Sequence, residues 1–164
     1  MPPSSALRAQ LARRIRGEAP ADWDEFSRLW MAFNAIYGGE PDRWERTRVM
    51  ASIRNGFSEE AALRVLDAAA HAADCILATP PGNTRRPHTD PNFRTETIEL
   101  ASQYRQADAP ARDRLAALGG VIYQVRCSLI HGSKDPSNAR DRMLVRESLS
   151  TLRLLLPELE NQLL

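Results

Sequence analysis

Apolar residues recur along this chain at intervals of three and four from one end to the other, and no convincing alternating run interrupts them. A repeat near 3.6 lines one face of a helix, whereas a half-buried strand needs a repeat of two. The pattern predicts an all-α protein. Its clearest segment is residues 22–39, DWDEFSRLWMAFNAIYGG, where Phe26, Leu29, Trp30, Phe33, Ile36 and Tyr37 share a face. Asp22 with Glu25 offers a capping-box-like start and Gly38-Gly39 an end, so this segment is read as a core helix. A first helix over residues 5–16 precedes it.

Pro41 opens a shorter helix through Ile53, carrying Trp44 and Met50, which Asn55-Gly56 stops. Ser58 then caps an alanine-rich helix to Ala78, whose small residues admit a close neighbour. Four prolines and a glycine make residues 79–93, TPPGNTRRPHTDPNF, a loop. A helix over 95–107 follows. Asp108 and Pro110 start another, in which Leu115, Leu118, Ile122, Val125 and Leu129 keep the rhythm up to Gly132. After the turn GSKDPSN, a long helix from 139 turns Val145, Leu149, Leu152, Leu156, Leu159 and Leu163 inward, and Pro157 should kink or interrupt it.

At 164 residues the chain suits one domain with an apolar core and is too short for two ordinary ones. The 22 basic and 21 acidic residues nearly cancel, so total charge argues neither for nucleic acid nor for a membrane. The kind of base is unusual: 21 of the 22 are arginine, with Lys134 as the lysine. Either arginine's planar fork is used on phosphate, or a GC-rich coding sequence produced the bias. Cys75 and Cys127 lie far apart and only three histidines are present, which excludes a zinc cluster of usual spacing. No metal or cofactor is expected. Without a disulfide framework, a membrane-length apolar run or a secretory h-region, the expectation is a soluble protein of a reducing cytoplasm.

The candidate chemistry lies in residues 125–138, VRCSLIHGSKDPSN. Arginine and histidine can cleave RNA without metal. The 2′-hydroxyl attacks the adjacent phosphate, a base and an acid move two protons, and a fixed positive charge meets the phosphate. Histidine titrates near neutrality and arginine supplies the charge. Spacing alone is weak, because a chain this rich in arginine contains about one such match by chance. Arg126–His131 is one match and Arg64–His71 a second. Context separates them. His71 sits mid-helix among alanines, the setting of a structural histidine, whereas His131 adjoins the helix-ending Gly132 at the edge of a polar turn. There it serves either as acid and base or as a helix-terminal residue favoured by the dipole. Residues five apart on a regular helix point about 140° apart. A working Arg126–His131 pair therefore needs either a helix that ends by residue 130 or a contribution from a second chain.

Two segments together resemble a known superfamily: LWMAFNAIYGG at 29–39 and YQVRCSLIHGSKD at 123–135, followed by a leucine-rich helix. They are similar to the HEPN superfamily, whose early helix commonly reads LWxAFNxxYG and whose signature is R-x4–6-H, often RNxxxHG. The resemblance implies a single-domain HEPN-like helical bundle across residues 1–164, usually a homodimer whose two motifs meet at the interface. It also implies a metal-independent endoribonuclease of a toxin-antitoxin or phage-defence type system. Its partners would be an RNA substrate, a second copy of the chain, and an antitoxin or other partner protein. Carried onto this chain, Arg126 contacts the scissile phosphate and His131 is the acid/base residue. Some members are instead catalytically inactive modules that bind a partner protein, nucleotide or RNA. This chain departs from the pattern at Cys127, where a polar Asn, Asp or His is usual. A thiol is a weak hydrogen-bond partner, so either Ser128 orients the site in its place or activity is reduced or lost.

Four further features complete the candidates. Lys134, two residues past Gly132, either assists at the phosphate or is a solvated turn residue. Asn34 either fixes helix packing as a buried hydrogen-bonding group or reaches the site. In the loop, Arg85, Arg86 and His88 form either an RNA-contacting patch with Phe93 as a stacking surface or a solvated connector. Trp30 and Phe33 follow the buried stripe and are assigned to the core.

Overall fold

The all-α expectation holds. The computed structural model describes residues 5–38 and 44–164, and among them lie eight helices and no strand. In chain order these are α1 (Ser5–Glu18), α2 (Ala21–Tyr37), α3 (Glu45–Gly56), α4 (Glu59–Ala68), α5 (Ala70–Ala78), α6 (Thr95–Tyr104), α7 (Ala111–Ile130) and α8 (Ala139–Leu163). Among them no helix is long and apolar enough to cross a membrane. Gly39 and Pro41, expected to end one helix and open the next, lie outside the described residues.

Helix α7 is central because its sequence leaves it no polar side over two turns. Every residue from Leu115 to Ile122 is buried, including Ala116, Ala117, Gly119 and Gly120 between the larger apolar side chains. A helix apolar all round must be enclosed, and α3, α6 and α4 pack around it. Small residues set the approach distance: a Cβ on Gly119 would collide with Ile53 Cδ1 of α3. A second layer pairs α8 with α2 and α5. In α2, Phe26, Trp30, Phe33 and Tyr37 form a row of rings with neighbouring centroids 5.1–6.1 Å apart. All four are buried, as the helical spacing predicts.

Several boundaries differ from the sequence reading, each for a local reason. The α2 helix begins at Ala21 with extended Pro20 in the cap position, so Asp22 and Glu25 lie inside it and form no capping box. Glu25 instead accepts from Arg153 of α8, at 3.0 Å from Nε. Ser58 does cap its helix, accepting from the Ala61 amide at 3.1 Å, but the alanine-rich rod breaks at Ala69, whose φ of −91° and ψ of 1° leave the helical range. Helix α6 ends at Tyr104 rather than 107, and Asp108 caps nothing at the start of α7. Pro157 does not interrupt α8. The residue four before it is the exposed Arg153, so water can satisfy the carbonyl that proline leaves unbonded. Leu163, expected inward, is exposed at the helix end.

Candidate functional site

The motif segment is shaped by how α7 stops. Ile130 is its last residue, His131 its C-cap, and Gly132 follows with φ of 67°, a left-handed conformation that favours glycine. The Gly132 amide donates to Leu129 O at 3.1 Å and the Ser133 amide to Ser128 O at 2.9 Å, the paired closure of a Schellman motif. Of the two routes to a working pair, the early helix end is present within one chain.

At that end Arg126 and His131 line one open cavity of about 470 Å³. Tyr123, Cys127 and His131 succeed one another at intervals of four along one side of α7, and Cys127 occupies the middle of the wall. Arg126 enters from the edge of this face through the length of its side chain. The opposite wall comes from the start of α3, with Trp44, Glu45 and Arg46, and from Arg85 of the proline-rich loop. Both residues of the motif thus reach one space without a second chain.

Glu45 organises the arginine. One carboxylate oxygen accepts from the Tyr37 hydroxyl at 2.8 Å; the other accepts from Arg126 Nη1 at 3.3 Å and the Tyr123 hydroxyl at 3.4 Å. Tyr37 in turn receives the Trp30 indole N–H at 2.9 Å, so the ring row of α2 is wired to the site. Burial, reinforced by Glu45, raises the Tyr37 phenol well above its ordinary value. Tyr123 is raised likewise by burial and by its hydrogen bond with Cys127. Both hydroxyls therefore stay protonated donors at neutral pH. Arg126 Nε is buried with no partner among the described residues.

A second arginine braces the floor. Arg46 donates to Glu96 at 2.6 Å and to Gln124 Oε1 at 2.9 Å, with its guanidinium 5.6 Å from the Tyr123 ring centroid. The hydrogen bond from Arg46 is the main reason the Glu96 carboxyl lies below its ordinary value of 4.5, against an opposing contribution from burial. A depressed carboxylate stabilises the fold above its unfolded pKa and loses that contribution as pH falls through the folded one. The melting temperature is expected to fall as pH drops from 6 to 3, and Glu96→Gln should flatten part of that fall. Parallel slopes in thermal melts of the two proteins would contradict the pairing.

The other sequence candidates separate. Cys127 and Arg85 line the cavity, whereas Asn34, Ser128, Lys134, Arg86 and His88 do not. Asn34 is exposed on the outer side of α2, because its position falls between the buried aromatics rather than among them. Ser128 is buried and donates to the Gln124 carbonyl at 3.0 Å, so it serves the end of α7. Lys134 is neither a solvated turn residue nor a cavity group: it is 5% exposed and donates to Asp141 at 2.9 Å. Burial foremost lowers its pKa, against the opposing pull of Asp141. Arg86 pairs with Asp90 at 3.2 Å, and the His88 ring centroid lies 4.6 Å from that of Phe93, which itself presses on Gly82. Phe93 is therefore used in loop packing. In the second spacing match, Arg64 is held by Glu60 and Glu158, while exposed His71 lies beyond the break at Ala69, 3.8 Å from Cys75 Sγ. Neither reaches the cavity.

Sequence reasoning missed Trp44, Glu45, Arg46, Tyr123, Gln124 and Glu96. Their positions follow no motif spacing, and Glu45 is 81 residues from Arg126 in the chain. The sequence reading placed Trp44 inside a helix opened by Pro41, whereas it stands in the cap position before α3, which begins at Glu45. Among the described residues no three His, Cys, Asp or Glu side chains gather in a way that could hold a metal ion. No family model, no curated protein and no solved structure matches the chain.

Proposed function

We propose that this chain is a HEPN-type endoribonuclease that cuts RNA without a metal ion, through Arg126 and His131. The observation that carries the reading is that both residues of the R-x4-H spacing line one open cavity. In this mechanism the 2′-hydroxyl attacks the adjacent phosphorus while the bond to the 5′-oxygen breaks. The hydroxyl loses a proton and the leaving oxygen gains one, giving 2′,3′-cyclic phosphate and 5′-hydroxyl ends. Arg126 meets the negative charge on the phosphate oxygens, and His131 moves one of the two protons. A homodimer formed through the 126–135 face would supply a second His131 for the other. A toxin or defence effector of this kind would be restrained by an antitoxin-like partner protein.

The test is cleavage of a labelled single-stranded RNA. Because protein side chains supply both the charge and the proton transfer, cleavage is expected to survive excess EDTA and to leave cyclic phosphate ends. Activity that appears only with added magnesium or manganese would overturn the mechanism.

One pair of observations favours a second reading, a catalytically silent module. Arg126 is already engaged by Glu45, and Cys127 occupies the centre of the wall where related motifs place a polar residue. Absence of cleavage by the wild type, with binding retained at the cavity, would select it. Cys127→Asn is then the variant that tests whether the missing polar group is responsible.

A further inference from the structure

Trp44 stands apart from the other tryptophans: Trp23 and Trp30 are 4% and 3% exposed, and Trp44 is 76% exposed. It forms part of the rim of the cavity that holds Arg126 and His131, immediately before the first turn of α3. The ring is braced. The Arg85 guanidinium lies 5.8 Å from its centroid, and the Arg85 amide is tied to Asn83 Oδ1 at 2.9 Å. With one face met by Arg85, the high exposure leaves the other face open to a ligand.

A second, independent feature lies on the floor. Gln124 is 2% exposed yet lines the cavity, and its Oε1 accepts from Arg46 at 2.9 Å. Because a guanidinium only donates, this bond fixes the orientation of the amide. The Nε2 group then has no partner among the described residues, and it suits an acceptor such as a base carbonyl or a phosphate oxygen. An open aromatic face next to cationic and donor groups matches what an unpaired nucleotide offers: a flat base, carbonyls and a phosphate. An apolar protein surface would leave these donors unsatisfied.

We propose, resting on the ribonuclease reading above, that Trp44 stacks an unpaired nucleobase adjacent to the phosphate held at Arg126 and His131. Arg85 positions the ring and Gln124 donates to the bound nucleotide. The subsite selects single-stranded RNA, since a paired base cannot present its face to Trp44.

The test uses the full chain and a fluorescent single-stranded 2′-O-methyl RNA, which lacks the attacking hydroxyl and so reports binding alone. Trp44→Ala is expected to weaken binding roughly tenfold or more, Trp44→Phe less, and Arg85→Ala by an intermediate amount. Binding should quench tryptophan emission in the wild type and not in Trp44→Phe. An abasic residue moved along the RNA should weaken wild-type binding at one position, and that penalty should vanish in Trp44→Ala. A flat abasic scan, or Trp44→Ala binding as the wild type does, overturns the subsite; if both proteins still cut RNA, the ribonuclease reading survives it. Trp44-dependent binding without cleavage of ordinary RNA keeps the subsite and removes the nuclease. A wild type that binds no RNA overturns the proposal. So does a Trp44→Ala protein whose mass by light scattering changes while its RNA affinity does not, since Trp44 is then a contact between proteins.

Discussion

His131→Ala is expected to lower RNA cleavage by roughly a hundredfold to ten-thousandfold while leaving the melting temperature unchanged. The two parts of this expectation have separate causes. Catalytically, the variant removes the imidazole to which the proposed mechanism assigns proton transfer in the cavity. Structurally, the imidazole is exposed, and α7 is closed by the backbone amides of His131, Gly132 and Ser133 rather than by that side chain. Arg126→Ala should also cripple cleavage, by removing charge from the phosphate, and it leaves Glu45 with its two tyrosine hydroxyls. His71→Ala, from the chance spacing match outside the cavity, should cut as the wild type does. The assay is time-resolved cleavage of a labelled RNA by the four purified proteins. Equal rates for wild type and His131→Ala would exclude the site.

The largest expected loss of stability is at Phe33. Its ring is fully buried between Trp30 and Tyr37, with centroids 5.3 and 5.1 Å away. Phe33→Ala should cost about 3–5 kcal/mol, combining lost transfer energy, a cavity that a rigid aromatic row cannot close, and lost ring contacts. Met31, two residues earlier in α2, is 66% exposed, and Met31→Ala should change stability by less than about 0.5 kcal/mol. Urea unfolding of the two variants measures both, with an unchanged denaturant slope as the check that the unfolded state is comparable. The functional consequence is specific. Tyr37 loses a ring neighbour, so the Tyr37–Glu45–Arg126 chain should loosen and cleavage should fall even at temperatures where the variant stays folded. A cost below about 1 kcal/mol would remove the aromatic row from the core it is assigned to.

The helices were legible because each apolar face is written at a local period. The aromatics of α2 and, in α7, Leu115, Leu118, Ile122 and Val125 lie in the buried core, with Leu129 half-buried against it. What periodicity understated was α7 itself. Alanine and glycine carry little hydrophobic signal, yet Ala116, Ala117, Gly119 and Gly120 are buried, with Gly119 set against α3 and Gly120 against α6 and α3. Errors gathered at helix ends, at Asp22, Ala69 and Tyr104, where single hydrogen bonds and not burial decide the boundary.

For the site, the sequence by itself determined the two residues of the motif and the glycine that stops their helix. Spacing along one element depends only on the geometry of a single helix. It could not separate Arg126–His131 from Arg64–His71, which satisfy the same rule. Only the tertiary structure decided that the first pair shares a cavity and that the second is split by the break at Ala69. It also placed Glu45 on Arg126, Arg46 on Gln124 and Arg85 over Trp44, and withdrew Lys134 into an ion pair with Asp141. The physical reason is range. A helix turn is set by neighbours three and four residues away, whereas these partners lie up to 81 residues apart and meet because burial of α7 draws the start of α3 and the 79–93 loop onto its last turns.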